Sequence, residues 1–244
     1  MKKNKWKIAG LILAIVFLAC AGFCVYYVND YYRCEVSVDT LLDDTDTVSY
    51  DKIKEGVFLD GMGEDTAIVF YPGAKVEYTA YLPLFMELAE QGVDCFLVEM
   101  PCNLAMFGLN KVGDLMESYD YENWYLAGHS LGGAMGASYV SEHLEEFSGM
   151  ILLAAYPTKS LKAENFKVLS IYGSEDAVLN MEKLEEGRAL MPEDYTEICI
   201  EGGNHAQFGA YGFQKGDGTA MITAEEQVQQ TVEAILTLLE DEMK

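Results

Sequence analysis

The stretch Asn123-Trp124-Tyr125-Leu126-Ala127-Gly128-His129-Ser130-Leu131-Gly132-Gly133 decides how this chain is read. From Asn123 to Ala127 it is mostly aromatic and apolar, as a short buried strand would be. After Ser130 come Gly133, Ala134, Gly136, Ala137 and Ser138, a small-faced run that suits a helix packed tightly on a sheet. The pentapeptide between them is Gly-x-Ser-x-Gly. A sharp strand-to-helix turn there holds the serine hydroxyl exposed and brings backbone against backbone; glycines two residues either side leave room for the crossing because they lack a Cβ. A serine hydroxyl is a weak nucleophile until it is held beside a base. The same pentapeptide also occurs as a plain glycine-rich turn with a solvated serine, so its neighbours must carry the rest of the reading.

Working outward, strand-like and helix-like runs alternate. Thr66 to Tyr71 reads as a buried strand closed by Pro72-Gly73, and Val57 to Leu59 as an edge strand before it. Tyr81 to Gln91 places Leu84, Phe85, Leu88 and Ala89 at helical spacing and stops at Gly92. Val93 to Met100 is a second strand stopped by Pro101, and Leu104 to Tyr119 is expected to be helical. Beyond the serine turn, Met150 to Ala155 and Lys167 to Tyr172 read as strands, Leu179 to Leu190 as helix, and Glu197 to Ile200 as one more strand. Thr223 with Glu226 three residues on is a capping box. The helix it opens carries one apolar stripe: Val228, Val232, Ile235, Leu236 and Leu239. This alternation implies an α/β fold with a mostly parallel central sheet covered on both faces. The connection from Tyr156 to Phe166 leaves no room for a large cap domain, which implies an open site.

The chain has 244 residues, half of them apolar, and a formal net charge of -24 from 40 acidic and 16 basic residues. Such acidity argues against nucleic acid, whose phosphates need a basic surface. The N-terminus differs. Lys2, Lys3, Lys5 and Lys7 precede an uncharged run from Ile8 to Val28, about 31 Å long as a helix. Lysines on that side and acid beyond it put the N-terminus in the cytoplasm and the bulk outside. An uncleaved single-pass membrane anchor is favoured. Cleavage near Ala19-Cys20-Ala21, giving a secreted protein, or lipidation at Phe17-Leu18-Ala19-Cys20 is the rival. The expected organisation is therefore an anchor or signal segment at 1–28, an acidic spacer with a peripheral strand at 29–55, with Asp39, Asp43, Asp44, Asp46 and Asp51, and the main domain at 56–244. Outside the cell, Cys34, Cys95, Cys102 and Cys199 are free to form disulfides. Cys95 and Cys199 lie in strand-like runs and read equally well as buried thiols.

A base for Ser130 must come from three histidines. His129 abuts the serine and should point away across the turn. His143 stands thirteen residues along the next helix, about 20 Å off at the helical rise. His205 remains, in Glu201-Gly202-Gly203-Asn204-His205 after the last strand, at the sheet edge where open α/β sheets bind ligands. The carboxylate that orients it should fall between serine and histidine in the chain. Asp176 in Gly173-Ser174-Glu175-Asp176 occupies that slot, with Glu175 as its competitor. Two backbone N–H groups should hold an oxyanion, those of Leu131 and of Ala74 in Pro72-Gly73-Ala74-Lys75, with Lys75 the alternative to Ala74.

Five stretches together resemble a known family: Tyr71-Pro72-Gly73-Ala74-Lys75-Val76, Met100-Pro101 with Asn103-Leu104-Ala105, Gly128 to Gly133, Tyr172 to Asp176, and Gly203-Asn204-His205-Ala206-Gln207-Phe208-Gly209. The extension Tyr211 to Gly218 resembles it too. Over about residues 56 to 240 the chain resembles the α/β-hydrolase superfamily, more narrowly the single-domain bacterial group called alpha/beta hydrolase fold-5. The resemblance implies the triad Ser130, Asp176 and His205, no metal and no organic cofactor. It also implies an esterase-like or lipase-like activity on a small-molecule acyl substrate. Relatives that open dienelactones often carry cysteine as nucleophile, and Ser130 departs from them. Substrate does not follow from fold. A noncatalytic surface binding module, and an acyltransferase or peptidase on the same triad, stay open. Tyr211 and Gln214 read as structural loop residues first and as pocket walls second.

Overall fold

The structure, a computed structural model, describes residues 2–43, 47–63 and 65–240; Asp44 and Asp46 of the acidic stretch lie outside the described residues. The chain divides into two compact units, 1–31 and 32–244. The first contains one helix, α1 (Lys2–Asn29), whose segment Gly10–Asn29 is long and apolar enough to cross a membrane. A signal sequence shares that length and composition. Its apolar side chains, Leu11, Phe17 and Phe23 among them, are exposed.

The second unit begins with the short α2 (Val38–Asp43) and is built on one eight-stranded sheet. In chain order the strands are β1 (Ser49–Ile53), β2 (Gly56–Asp60), β3 (Thr66–Tyr71), β4 (Asp94–Val98), β5 (Asn123–His129), β6 (Gly149–Leu153), β7 (Lys167–Gly173) and β8 (Tyr195–Ile200). They lie in the order β1-β2-β4-β3-β5-β6-β7-β8. The first two pairings are antiparallel and the rest parallel. The strand read as an edge, Val57–Leu59, is therefore internal. Its outer neighbour β1 reads Ser-Tyr-Asp-Lys-Ile, too polar and too exposed to announce itself by apolar alternation.

Burial on both faces explains the sequence of the central strands. All six residues of β3 are buried. Ile68 and Phe70 join one apolar layer, while Ala67, Val69 and Tyr71 join the other, as the two-residue period of a strand requires. The first layer is closed by α3 (Leu82–Glu90) and α7 (Ala224–Leu239), through Leu84, Phe85 and Leu88 and through Val228, Val232, Ile235 and Leu239. Both bonds of the Thr223–Glu226 capping box are formed. The second layer is closed by α4 (Lys111–Met116) and α5 (Leu131–Val140), through Val112, Leu115, Ala137 and Val140. The last helix before α7, α6 (Met181–Arg188), buries Leu184.

The helix expected over Leu104–Tyr119 is broken. Short 3-10 turns at Pro101–Asn103 and Ala105–Phe107 precede α4. The buried Tyr71 is the reason. Its hydroxyl donates to the Leu109 carbonyl (2.6 Å) and accepts from the Val112 N–H (3.0 Å), taking backbone bonds that a continuous helix would make within itself. His143 lies past the end of α5 rather than on it, hydrogen-bonded to Glu146 (2.9 Å) and stacked on Tyr139. The four cysteines of this unit are unpaired. Cys95 is buried, and Cys199, for which a buried thiol is one of the two readings of the sequence, is exposed because β8 closes the sheet with one face toward solvent.

This order positions a site. Successive connections leave β3 first toward β4 and then back across to β5, so the sheet's direction of growth reverses beside β3. Ligands of open parallel sheets bind outside the strand C-termini at such a reversal. The elbow after β5 sits there, over the end of β3. A Cβ on Gly132 would collide with the carbonyl oxygens of Tyr71 and Pro72, and one on Gly128 with the backbone of Gly132 and Gly133. Gly132→Ala should therefore destabilise the domain by about 1–3 kcal/mol, the usual cost of overpacking. Thermal unfolding checks this: Tm should fall by about 2–4 °C per kcal/mol for a domain of this size, and an unchanged Tm would contradict the close crossing.

Candidate active site

Four loops converge at the C-terminal edge of the parallel strands. The loop after β5 is the turn at Ser130. Its backbone has φ 52° and ψ -120°, a conformation that L-residues avoid and that costs about 1–3 kcal/mol. Its N–H donates to the Leu153 carbonyl of β6 (2.9 Å), which pins the turn to the neighbouring strand. The side chain is half-buried.

The loops after β7 and β8 bring a carboxylate to an imidazole. Asp176 Oδ2 lies 2.8 Å from His205 Nδ1, with both side chains withdrawn from solvent. Asp176 Oδ1 accepts the N–H groups of Val178 (2.9 Å) and Leu179 (2.8 Å). That carboxylate is thus fixed from both sides. Glu175 turns away, toward the Ser174 hydroxyl (3.2 Å). With Nδ1 engaged by a carboxylate, the geometry assigns the proton of a neutral ring to Nδ1 and leaves Nε2 as an acceptor. Nε2 is buried and has no hydrogen-bond partner among the described residues. A buried polar atom without a partner requires an explanation. Ser130 Oγ makes no hydrogen bond to it in this structure. The two residues are nonetheless neighbours, since the ring of His129, next to Ser130, packs 4.5 Å from that of His205.

His129 does point away across the turn, and the structure gives it a partner set that the sequence did not reveal. Its Nε2 faces the carbonyl oxygen of His205 (3.1 Å), which can only accept, so Nε2 carries the hydrogen. Nδ1 then accepts from the Tyr81 hydroxyl (2.8 Å), and that hydroxyl accepts from the Gly73 N–H (3.2 Å). Burial, reinforced by the His205 imidazole beside it, holds His129 well below the ordinary imidazole range, and burial pushes the Tyr81 phenol up. Both stay neutral. The chain Gly73–Tyr81–His129–His205 therefore ties the loop after β3 to the histidine loop through neutral groups.

Two further residues hold the histidine loop. Gln227, fully buried on α7, accepts from the Asn204 N–H (2.9 Å) and donates to the Asn204 carbonyl (2.8 Å). Asp217 accepts from Ala206 N–H (2.9 Å) through one oxygen, and from Gly218 N–H (2.8 Å) and Ala177 N–H (3.3 Å) through the other. It bridges the loops of His205 and Asp176. Neither residue is marked by spacing. The only sequence sign for Gln227 is a glutamine on the buried side of an otherwise apolar helix. Tyr211, 3 % exposed and packed against Tyr32 and Tyr81, is a packing residue of its loop; its hydroxyl donates to Gln214 (3.1 Å).

In the loop after β3, the Lys75 N–H is spent on the Asn103 carbonyl (2.8 Å). The N–H groups of Ala74 and of Leu131, the first residue of α5, find no acceptor among the described residues. Ala74 is exposed. Among the described residues, no three His, Cys, Asp or Glu side chains group as a metal site would require.

Residues 67–229, more than half of the chain, match the Alpha/beta hydrolase family. The chain belongs to that family. Solved structures of small alpha/beta hydrolases share the fold at low identity. Alpha/beta hydrolase domain-containing protein 10 from mouse is 11 % identical with a TM-score of 0.58, over 80 % of this chain and 99 % of its own. A predicted CIB-like hydrolase from Thermoplasma acidophilum is 15 % identical with a TM-score of 0.55, over 78 % and 97 %. TT1662 from Thermus thermophilus is 12 % identical with a TM-score of 0.56, over 79 % and 98 %. None of the curated proteins matches the chain by sequence.

The strain at this family member's elbow is measurable without any substrate. Glycine adopts the Ser130 backbone freely, so Ser130→Gly should stabilise the folded chain by about 1 kcal/mol, the released strain less glycine's extra chain entropy. Calorimetry should show Tm raised by about 2–4 °C; a lowered Tm would mean that the serine side chain, not the turn, sets the local energy.

Proposed function

We propose that this alpha/beta hydrolase is a serine hydrolase acting on an ester or related acyl bond, with Ser130 as nucleophile, His205 as base and Asp176 as the orienting carboxylate. The observation that carries the reading is the His205 ring. Its Nδ1 is held by a buried carboxylate, and its Nε2 is buried and unpartnered, beside a serine on a strained turn. A structural histidine would have both nitrogens satisfied, as His129 has. Hydrogen bonds between nucleophile and base are commonly loose before substrate arrives, so the open Ser130–His205 gap is compatible with the assignment.

Ser130 Oγ attacks the carbonyl carbon while His205 Nε2 takes its proton. The N–H groups of Leu131 and Ala74 stabilise the oxyanion, and both are without competing acceptors in the free protein. His205 then protonates the leaving alcohol, which departs with formation of the acyl-serine. Water, deprotonated by the same nitrogen, releases the acid. Asp176 fixes the tautomer and stabilises the imidazolium without itself taking the proton. The lysines at the start of α1, the apolar span that follows them and the acidic remainder support an anchored protein with its catalytic domain outside.

Hydrolysis of a short-chain p-nitrophenyl ester tests the assignment. Ser130→Ala and His205→Ala should each lower kcat by roughly 10⁴ to 10⁶, and the double variant little further, because the two act as a unit. Unchanged turnover in Ser130→Ala would remove the proposal.

A further inference from the structure

Resting on the serine-hydrolase reading above, we propose that the substrate is the acyl ester of an uncharged or zwitterionic lipid in the membrane leaflet that α1 anchors. Three observations converge on it. First, large exposed apolar side chains of the domain gather on one edge. Met106 and Phe107 stand on the loop after β4, Val178 on the Asp176 loop, Met181 at the start of α6, and Phe213 and Met221 beyond His205. All six flank the C-terminal edge that carries Ser130; Met62, on the loop leading into β3, is the exception at the opposite edge. Phe107 and Phe213 are 60 % and 67 % exposed. The turn carrying Met106 and Phe107 packs against α5, whose first residue is Leu131. An open apolar rim of this kind suits acyl chains drawn from a bilayer better than a water-soluble ester.

Second, the chain joins the domain at this same edge. The Tyr32 N–H donates to the Lys75 carbonyl (2.7 Å), and the Tyr32 carbonyl accepts from the Glu77 N–H (2.9 Å). Its hydroxyl accepts from the Lys215 N–H (3.1 Å), and Glu35 N–H donates to the Ala210 carbonyl (2.8 Å). Tyr32 is thus fastened one residue from Ala74 and within the loop that holds Asp217. The apolar segment of α1 ends at Asn29. Three peptide steps separate it from Tyr32, at most about 11 Å of chain whichever way the two units turn. Covalent structure alone keeps Tyr32 within that distance of the span. Third, the net charge of -24 repels anionic headgroups, which selects among lipids.

The step balances with water as the only co-reactant. The lipid ester C–O bond breaks as the Ser130 acyl bond forms, the serine proton passes through His205 to the departing alcohol, and water converts the acyl-serine to a free fatty acid.

The full-length chain, reconstituted in dioleoylphosphatidylcholine vesicles doped with dioleoylglycerol, should release oleate. In Phe107→Ser/Phe213→Ser, the ratio of oleate release to p-nitrophenyl butyrate turnover should fall by about tenfold or more, because only the lipid must leave a bilayer across that rim. Butyrate turnover without oleate release overturns the lipid assignment and leaves the serine-hydrolase reading standing; absence of both removes that reading as well. Faster release from vesicles rich in anionic phosphatidylglycerol overturns the headgroup selection. Mass spectrometry of the cell-derived protein should find α1 retained, and its loss overturns the proposal.

Discussion

The site depends on one close crossing of backbone. Strand β5 must turn into α5 while passing directly over Tyr71 and Pro72 at the end of β3, a passage that side chains at positions 128 and 132 would block. That crossing forces Ser130 into its positive-φ conformation and frees the Leu131 N–H at the helix start. It also sets the elbow against the loop bearing the unpaired Ala74 N–H. The positive-φ turn at Ser130 and the two unpaired N–H groups, of Leu131 and Ala74, thus follow from one packing constraint, whose strain is sustained by the buried layers on either side of the sheet.

The imidazole is placed by an independent set of bonds. Its ring is held by Asp176, its carbonyl by His129, the residue before it by Gln227 and the residue after it by Asp217. Every partner except the two carboxylates is neutral. That leaves one nitrogen of the His205 ring without a partner among the described residues, Nε2. Preorganisation of this kind spends folding energy to fix one ring, so that little reorganisation remains when substrate arrives.

Much of this was legible in the sequence because it is written locally. The alternation of apolar runs, the glycines around Ser130 and the Thr223 capping box each act over a few residues, and chain order brought Asp176 and His205 forward. What stayed hidden acts across the chain. The break in the helix before α4 comes from the hydroxyl of Tyr71, about forty residues earlier, and the internal position of β2 comes from a polar partner, β1. The roles of Tyr81, Gln227 and Asp217 consist of bonds to backbone groups of distant residues. A phenol, an amide or a loop aspartate carries no pattern that names such partners.

A crystal structure of the chain reacted with a small fluorophosphonate tests the central claim most directly. Phosphorus should be bonded to Ser130 Oγ, with its phosphoryl oxygen within about 3 Å of the Leu131 and Ala74 nitrogens and His205 Nε2 turned toward the ester oxygens. A phosphoryl oxygen facing solvent, or an adduct on any other residue, would contradict the account.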